Sequence, residues 1–451
     1  MTCECVICSL KINFDLDTHL LQEIENGRCV IFAGSGVSTE TSGAHSFSFY
    51  EQIATLVEHD GTERFWELID KYEDQPNGRQ KLIEQIRSRF DYIDSWRDLR
   101  WAATRFHKSL ATAPYFNEVI TTNWDRYFED VIRATPFVYD SDLAFWDNAR
   151  RPLLKIHGSI DNLSTIVASS EDYNACEERL KAGRLGDLLR HIFATRTVIF
   201  VGYSATDTDF LNIYETVRGS MGRFARAHYL VSPFIDDNQR ATLKADLNIT
   251  SIRTDATHFV DTIKEHMREK FCFAYDGAYD AVEKELARTT FKHLEFTSSY
   301  SVFREPHLIF ATAYQDGLIH GFQRIVDVRN ANDFADLHRV RSLIQLYEKK
   351  VSEYAKMRDY WNASYFDGYQ MALIFFDVAN ARLDPRQDVP DKLGDLPLFY
   401  HPRLGFMDEE KYNQKVRPHP EAHKAALKQA IRMAKDYEGA DNLVVQHSPF
   451  G

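Results

Sequence analysis

No apolar stretch in this 451-residue chain approaches the roughly 20 residues that a membrane-spanning helix needs. The opening residues, Met1-Thr2-Cys3-Glu4-Cys5, lack the basic and apolar regions of a secretory leader. Both absences lead us to expect a cytoplasmic protein with no membrane contact. Basic residues are outnumbered: the formal charge of −13 excludes a general nucleic-acid coat, and no direct nucleic-acid binding is expected. Cysteine is scarce. Cys3, Cys5 and Cys8 lie close together, but no second Cys or His cluster nearby completes a four-ligand set. The expectation is no metal site, and free thiols in a reducing compartment. Paired carboxylates with metal-site spacing are also missing, which argues against nucleic-acid processing.

What is present is an ordinary globular composition, 44% hydrophobic and 27% charged, in a chain long enough for two cores. Short apolar runs predict strands at 29–33, 118–122, 153–157, 197–201, 228–231 and 250–253. Most are continuous rather than alternating, as strands covered on both faces should be. Helical stretches such as 14–26, 52–57 and 78–90 lie between them. This pattern predicts an α/β fold, Rossmann-like, with a largely parallel sheet and helices on both faces. After about residue 273 the texture changes to a mainly α-helical domain, with nearly unbroken helix from Asp336 to Ala381, a Pro- and Gly-rich loop to about Pro420, and a last helix over 421–437. The expected domains are 1–272 and 273–451.

Four polar signatures fall at predicted strand ends, where ligands of open α/β sheets bind. Ala33-Gly34-Ser35-Gly36-Val37-Ser38 follows the first strand and reads as a tight turn opening a helix whose N–H groups hold a phosphate. It reads equally well as a structural loop, and Thr39 spoils the full dinucleotide fingerprint. Asn123-Trp124-Asp125 offers an amide and a carboxylate for a ribose hydroxyl or a water, or else a plain helix cap. His157-Gly158 places an imidazole, with a free pKa near 6.5 suited to a general base, beside a glycine that would admit a sugar ring; a satisfied structural histidine is the plainer alternative. Gly202, Ser204 and Asp207 end the strongest strand and could hold a ribose or cap the next helix.

The four signatures, in this order, resemble the catalytic domain of the sirtuin superfamily over roughly residues 15–270. That family's motifs are a Gly-Ala-Gly-x-Ser loop, an Asn-x-Asp segment, a His-Gly pair and a late Gly-x-Ser. The departures narrow the resemblance. A protein-deacylating sirtuin carries a four-cysteine zinc ribbon between the His-Gly pair and the late Gly-x-Ser, where this chain has Cys176 alone. What is left resembles the sirtuin-like NAD-degrading effectors of bacterial antiphage defence. Their late Gly-Tyr-Ser motif with following Asp and Phe is matched here by Gly202-Tyr203-Ser204, Asp207, Asp209 and Phe210. Gly43-Ala44-His45-Ser46-Phe47 stands where they carry a Gly-x-Pro-Ser-aromatic flap, with His45 in place of proline.

The resemblance implies an NAD glycohydrolase that yields nicotinamide and ADP-ribose, with NAD as substrate and no required cofactor. It implies Asn123, His157 and Asp125 as catalytic residues. Ala33, Gly34, Ser35, Gly36 and Ser38 would hold the pyrophosphate, and Gly202, Ser204 and Asp207 the adenosine ribose. A free-running NADase would kill its host, so gating by homo-oligomer assembly or a separate regulatory protein is expected, in the manner of abortive infection. A HerA-type ATPase comes first by analogy and an Argonaute-type protein second. Two other readings stay open: an NAD- or ADP-ribose-sensing scaffold without turnover, and a protein ADP-ribosyltransferase or deacylase.

Overall fold

The structure is a computed structural model that describes residues 5–205, 211, 213–215, 226–270, 272–301, 304–329, 334–387 and 396–435. Cys3, Asp207, Asp209 and Phe210 lie outside the described residues. The chain divides into two compact units, 1–269 and 270–451.

Unit 1 is built on a seven-stranded sheet in the order β3-β4-β2-β1-β5-β6-β7. The strands are β1 (Cys29–Ala33), β2 (Val119–Thr121), β3 (Thr135–Phe137), β4 (Pro152–Lys155), β5 (Thr197–Val201), β6 (His228–Val231) and β7 (Ile249–Ile252). Every neighbouring pair is parallel. Every residue of β1 and β5 is buried, which is why those strands read as continuous apolar runs. Phe32 of β1 packs on Phe200 of β5 and on Phe193 of the Arg184–Thr195 helix, with ring centroids 5.1 and 6.3 Å apart. β3 was not expected: three residues containing Pro136 carry too short a pattern to read, and Pro is tolerated because this strand lies at the sheet edge.

The order of strands positions the site. From β1 the chain moves to β2, out to the edge strand β3 and back to β4 on one side, then crosses to β5 on the other. Ala33 at the end of β1 is in register with Thr121 and with Val201. The connections therefore diverge at β1 and leave a crevice beyond its carboxyl end, between loops that lead away in opposite directions.

Unit 2 is mainly helical. Its core is closed by the helices Asp276–Ser299, Leu308–Val328, Leu337–Lys356 and Tyr360–Leu383. The helix expected to run from Asp336 to Ala381 is broken at Met357–Asp359. Arg358 there takes a left-handed conformation (φ +59°), and Asp359 accepts a hydrogen bond from the Asn362 N–H to start the next helix. The segment expected as loop from 384 to 420 also contains structure: a hairpin of β8 (Phe399–His401) and β9 (Gly405–Met407), then a helix, Glu409–Lys415, capped by Asp408. The last helix, Lys424–Lys435, follows a short 3-10 turn at Pro420–His423.

Candidate active site

β1 delivers Ala33, itself fully buried, to the crevice, and the next residues pack on the end of β5. The Gly34 N–H donates to the Val201 carbonyl at 2.9 Å, and the Gly36 N–H to the Gly202 carbonyl at 3.1 Å. A Cβ on Gly36 would stand 2.8 Å from the Gly202 carbonyl oxygen, and Gly202 itself has a φ of +75°. These glycines let two strand-end loops lie against each other; close approach to a ligand is not what demands them. The expected helix is a single 3-10 turn, Ser35–Val37, and the Gly34 and Gly36 N–H groups are spent on the end of β5 and the residue after it rather than left for a phosphate.

β2 delivers Asn123. The Thr121 hydroxyl donates to the Ala33 carbonyl at 2.8 Å and accepts the Asn123 N–H at 3.0 Å. The Asn123 amide then donates to the Gly34 carbonyl at 3.1 Å and the Ser38 hydroxyl at 3.2 Å. Its oxygen, Oδ1, is buried and has no hydrogen-bond partner among the described residues. The amide orientation is thus fixed by the two acceptors on its nitrogen, and a free acceptor is left over.

Asp125 accepts from the Ser38 hydroxyl at 2.7 Å and from the Tyr127 N–H at 3.0 Å. It closes a local turn just ahead of the helix Tyr127–Ile132, whose N-cap is Arg126, and it also holds Ser38. Burial pushes its carboxyl pKa up, and the Lys155 ammonium and the Ser38 hydrogen bond oppose that. Lys155, wholly buried at the end of β4, donates to the Asp125 carbonyl (2.6 Å), Glu129 Oε1 (2.9 Å) and Ser159 Oγ (3.1 Å). It ties the Asn-x-Asp turn to the His-Gly turn.

His157 follows β4 and is 4% exposed. Burial pushes its pKa down to about 3, and the Arg179 guanidinium nearby adds to the effect. The ring is therefore a neutral imidazole at pH 7, which corrects the expectation of a free-solution pKa. Tyr173 meets it edge-on, with centroids 5.2 Å apart. Gly158 has a φ of +82°, and a Cβ there would fall 2.1 Å from the Thr165 carbonyl. It is needed for the turn rather than to admit a sugar.

A cavity of about 640 Å³ brings together Ser35, Asn123, Asp125, His157 and Ser204, with Thr122 between them. Its walls include Phe49, Phe65, Trp66, Trp124 and Tyr173. Gly36, Gly202 and Ser204 border a second cavity of about 150 Å³, beyond β5 and β6. Ala33, Gly34 and Ser38 line neither; they act from behind, through the backbone and the Ser38 hydroxyl. Asp207 is not among the described residues.

Glu40 and Arg89 carried no readable signal, and Tyr203 was readable only as part of the Gly-Tyr-Ser motif, without its structural part. Tyr203 donates its hydroxyl to the Ala33 carbonyl (3.1 Å) and bonds Thr122 Oγ1 (2.9 Å), fastening the ends of β1, β2 and β5. Glu40 accepts from the Phe49 N–H and from Arg89, and burial raises its pKa against the pull of that cation. Arg89 comes from the Gly78–Ser95 helix and donates to the Phe47 carbonyl at 2.8 Å. It thereby pins the flap, where Gly43 has a φ of +89° and His45 Nδ1 accepts the Ser46 N–H.

The fold and this crevice define an open parallel α/β domain with a candidate ligand site where the connections diverge. Residues 117–252 match the family model described as SIR2-like domain, a span from the approach to β2 through the end of β7 that holds Asn123, His157 and Ser204. The similarity to that family lies within the N-terminal unit. Similar proteins include the NAD(+) hydrolase ThsA of Cytobacillus dafuensis, 27% identical over 53% of this chain and 48% of that protein. The NAD(+) hydrolase ThsA of Enterococcus faecium is also 27% identical, over 47% and 44%. Defense-associated sirtuin 2 of Bacillus subtilis is 27% identical over 44% of this chain and 20% of its own length. The chain spans about half the length of the first two relatives it matches. Among the described residues no helix is long and apolar enough to cross a membrane.

Proposed function

We propose that this protein hydrolyses the nicotinamide–ribose bond of NAD, releasing nicotinamide and ADP-ribose, and that it depletes NAD as an antiphage defence effector. The observation that carries the reading is the gathering of Asn123 and a neutral His157 in the wall of one cavity. The names of the relatives point the same way. Nicotinamide leaves from a cationic pyridinium, so acid assistance is hardly needed. The demand is to stabilise an oxocarbenium-like ribose and to deliver water to one face of it. The C1′–N bond breaks with its electron pair going to nicotinamide. Water then bonds to C1′ and gives up a proton.

In this reading Asn123 Oδ1 accepts a hydrogen bond from that water or from a ribose hydroxyl, with its orientation held by Gly34 and Ser38. His157 accepts the proton and passes it to solvent. Asp125 keeps Ser38 in place. Ser35, on the wall of the larger cavity, holds the pyrophosphate in this reading, and Ser204, which borders both cavities, holds the adenosine ribose. Activity is gated by assembly or by a separate protein, since NAD loss is lethal to the host. A HerA-type ATPase is the first partner to test and an Argonaute-type protein the second, both by analogy.

Chromatography of NAD incubated with the purified protein, alone and with host lysate, tests the reading. Nicotinamide and ADP-ribose should appear in equal amounts. His157→Ala and Asn123→Ala should each cut turnover by a factor of about 100 or more while staying folded. Tight NAD binding without products under either condition would instead mark a sensor.

A further inference from the structure

Unit 2 gathers three histidines from three separate segments. His307 stands at the start of the helix Leu308–Val328, His401 ends β8, and His423 closes the 3-10 turn Pro420–His423. The His401 ring centroid lies 5.2 Å from that of His307 and 4.1 Å from that of His423, and the other two are 6.5 Å apart. His307 and His401 are buried and His423 is half-buried. Nδ1 of His307, Nε2 of His401 and Nδ1 of His423 are buried atoms with no hydrogen-bond partner among the described residues.

The bonds on the opposite nitrogens fix where the protons sit. His307 Nε2 is 3.2 Å from the Pro420 carbonyl, which only accepts, so Nε2 carries the proton and Nδ1 is bare. His401 Nδ1 accepts the Arg403 N–H at 3.2 Å, so there Nδ1 is bare and Nε2 carries the proton. These two rings are placed to be neutral. A second proton on His401 would set two donors against each other and break the bond to Arg403. One on His307 would bury an N–H without an acceptor, at the positive end of a helix. Among the described residues the charged group that acts on His401 and His423 is Arg403, itself a cation. Glu305, two residues before His307, is paired with Arg417 at 2.8 Å, and Glu421, two residues before His423, is exposed. Burial lowers all three pKa values, that of His401 to about 3, and the neighbouring rings and Arg403 add to the effect.

We propose that these three histidines form a proton-operated latch, which fastens the segment 399–435 to the helix Leu308–Val328 when neutral and releases it when protonated. β8 and the helix Lys424–Lys435 both pack on that helix, and His401 and His423 stand at the two attachments. The released state takes up protons more readily than the fastened one. The stabilisation is therefore complete above about pH 6.5 and is lost as pH falls below that toward the lowered values. A metal site fits less well, because the bare nitrogen of His401 is committed to the Arg403 N–H. Among the described residues no group of three such side chains is placed to hold an ion. The latch does not depend on how the cavity of unit 1 is read.

Hydrogen exchange of the full chain, followed by mass spectrometry at about pH 7.5 and about pH 5.5 with intrinsic rates corrected, tests the latch. In the wild type the opening equilibrium of 399–435 should rise at least about tenfold on acidification, since each pH unit below about 6.5 is worth up to about tenfold per histidine. The double variant His307→Gln, His401→Asn keeps a donor for Pro420 and an acceptor for Arg403 but does not titrate. It should hold the rise within about threefold. No rise in the wild type, an equal rise in the double variant, or a rise of the same size throughout unit 2 would overturn the proposal. If the double variant does not fold, His423→Asn decides: it should cut the rise by at least about threefold, and an unchanged rise would overturn the latch. Added zinc that protects the segment at about pH 7.5 would also overturn it, as the mark of a metal site.

Discussion

An imidazole that is buried beside a guanidinium makes a weak base, and the consequence for His157 is measurable. Its pKa is lowered in the free protein, so the unprotonated form persists as pH falls through the range where an ordinary histidine takes up its proton. The profile of kcat/KM, which reports the free enzyme, should stay flat from about pH 8 to about pH 5 if His157 is the essential base. A fall centred near pH 6.5 would assign the base to another group. At this scale the sequence was partly legible. Asn123, His157 and Ser204 adjoin strands whose apolar runs announce where the sheet ends, so their gathering at one crevice could be read from order alone. Lys155 could not be read: it stands in an apolar run as a lone charge, and only the fold brings it to the 125–129 segment, where it bonds the Asp125 carbonyl and Glu129 as well as its near neighbour Ser159. Arg89 was hidden for the same reason, as were the bonds that Tyr203 makes.

Single elements obey rules that periodicity only half conveys. Six of the seven parallel strands lie within two residues of the expected ends, because burial on both faces leaves a composition signal. The break at Arg358 leaves none: one residue with a positive φ divides a pattern that is helical on both sides. Helix crossing is similarly silent. A Cβ on Gly317 would stand 2.0 Å from the Tyr365 carbonyl, and one on Gly368 would stand 2.0 Å from the Tyr314 carbonyl. The helices Leu308–Val328 and Tyr360–Leu383 therefore touch backbone to backbone at reciprocal glycines. Gly317→Ala and Gly368→Ala gain helix propensity but force that crossing apart. Each should destabilise unit 2 by about 1–3 kcal/mol, read as a lowered Tm. A raised Tm would mean that the crossing is looser than described.

Across the whole molecule, each unit closes its own core, one around the parallel sheet and one around the helices that follow. Such a chain should not unfold as one two-state step. Calorimetry of the full chain should give a van't Hoff enthalpy below the calorimetric one, and Gly317→Ala should move only part of the heat-absorption curve. A single sharp transition that moves as a whole would show that the units melt together. The change of texture near residue 273 was readable because an α/β pattern and a helical pattern bury apolar residues at different spacings.

The loop after β1 and the loop after β5 meet through Gly36 and Gly202, where the obstacle to any side chain is a carbonyl oxygen of the main chain. Such a clash cannot be relieved by trimming a neighbour, because every amino acid carries the same backbone. In evolutionary terms the two positions are locked without a compensating partner. A lineage that loses either glycine has no second substitution with which to recover the crevice, and must rebuild the loop by changing its length.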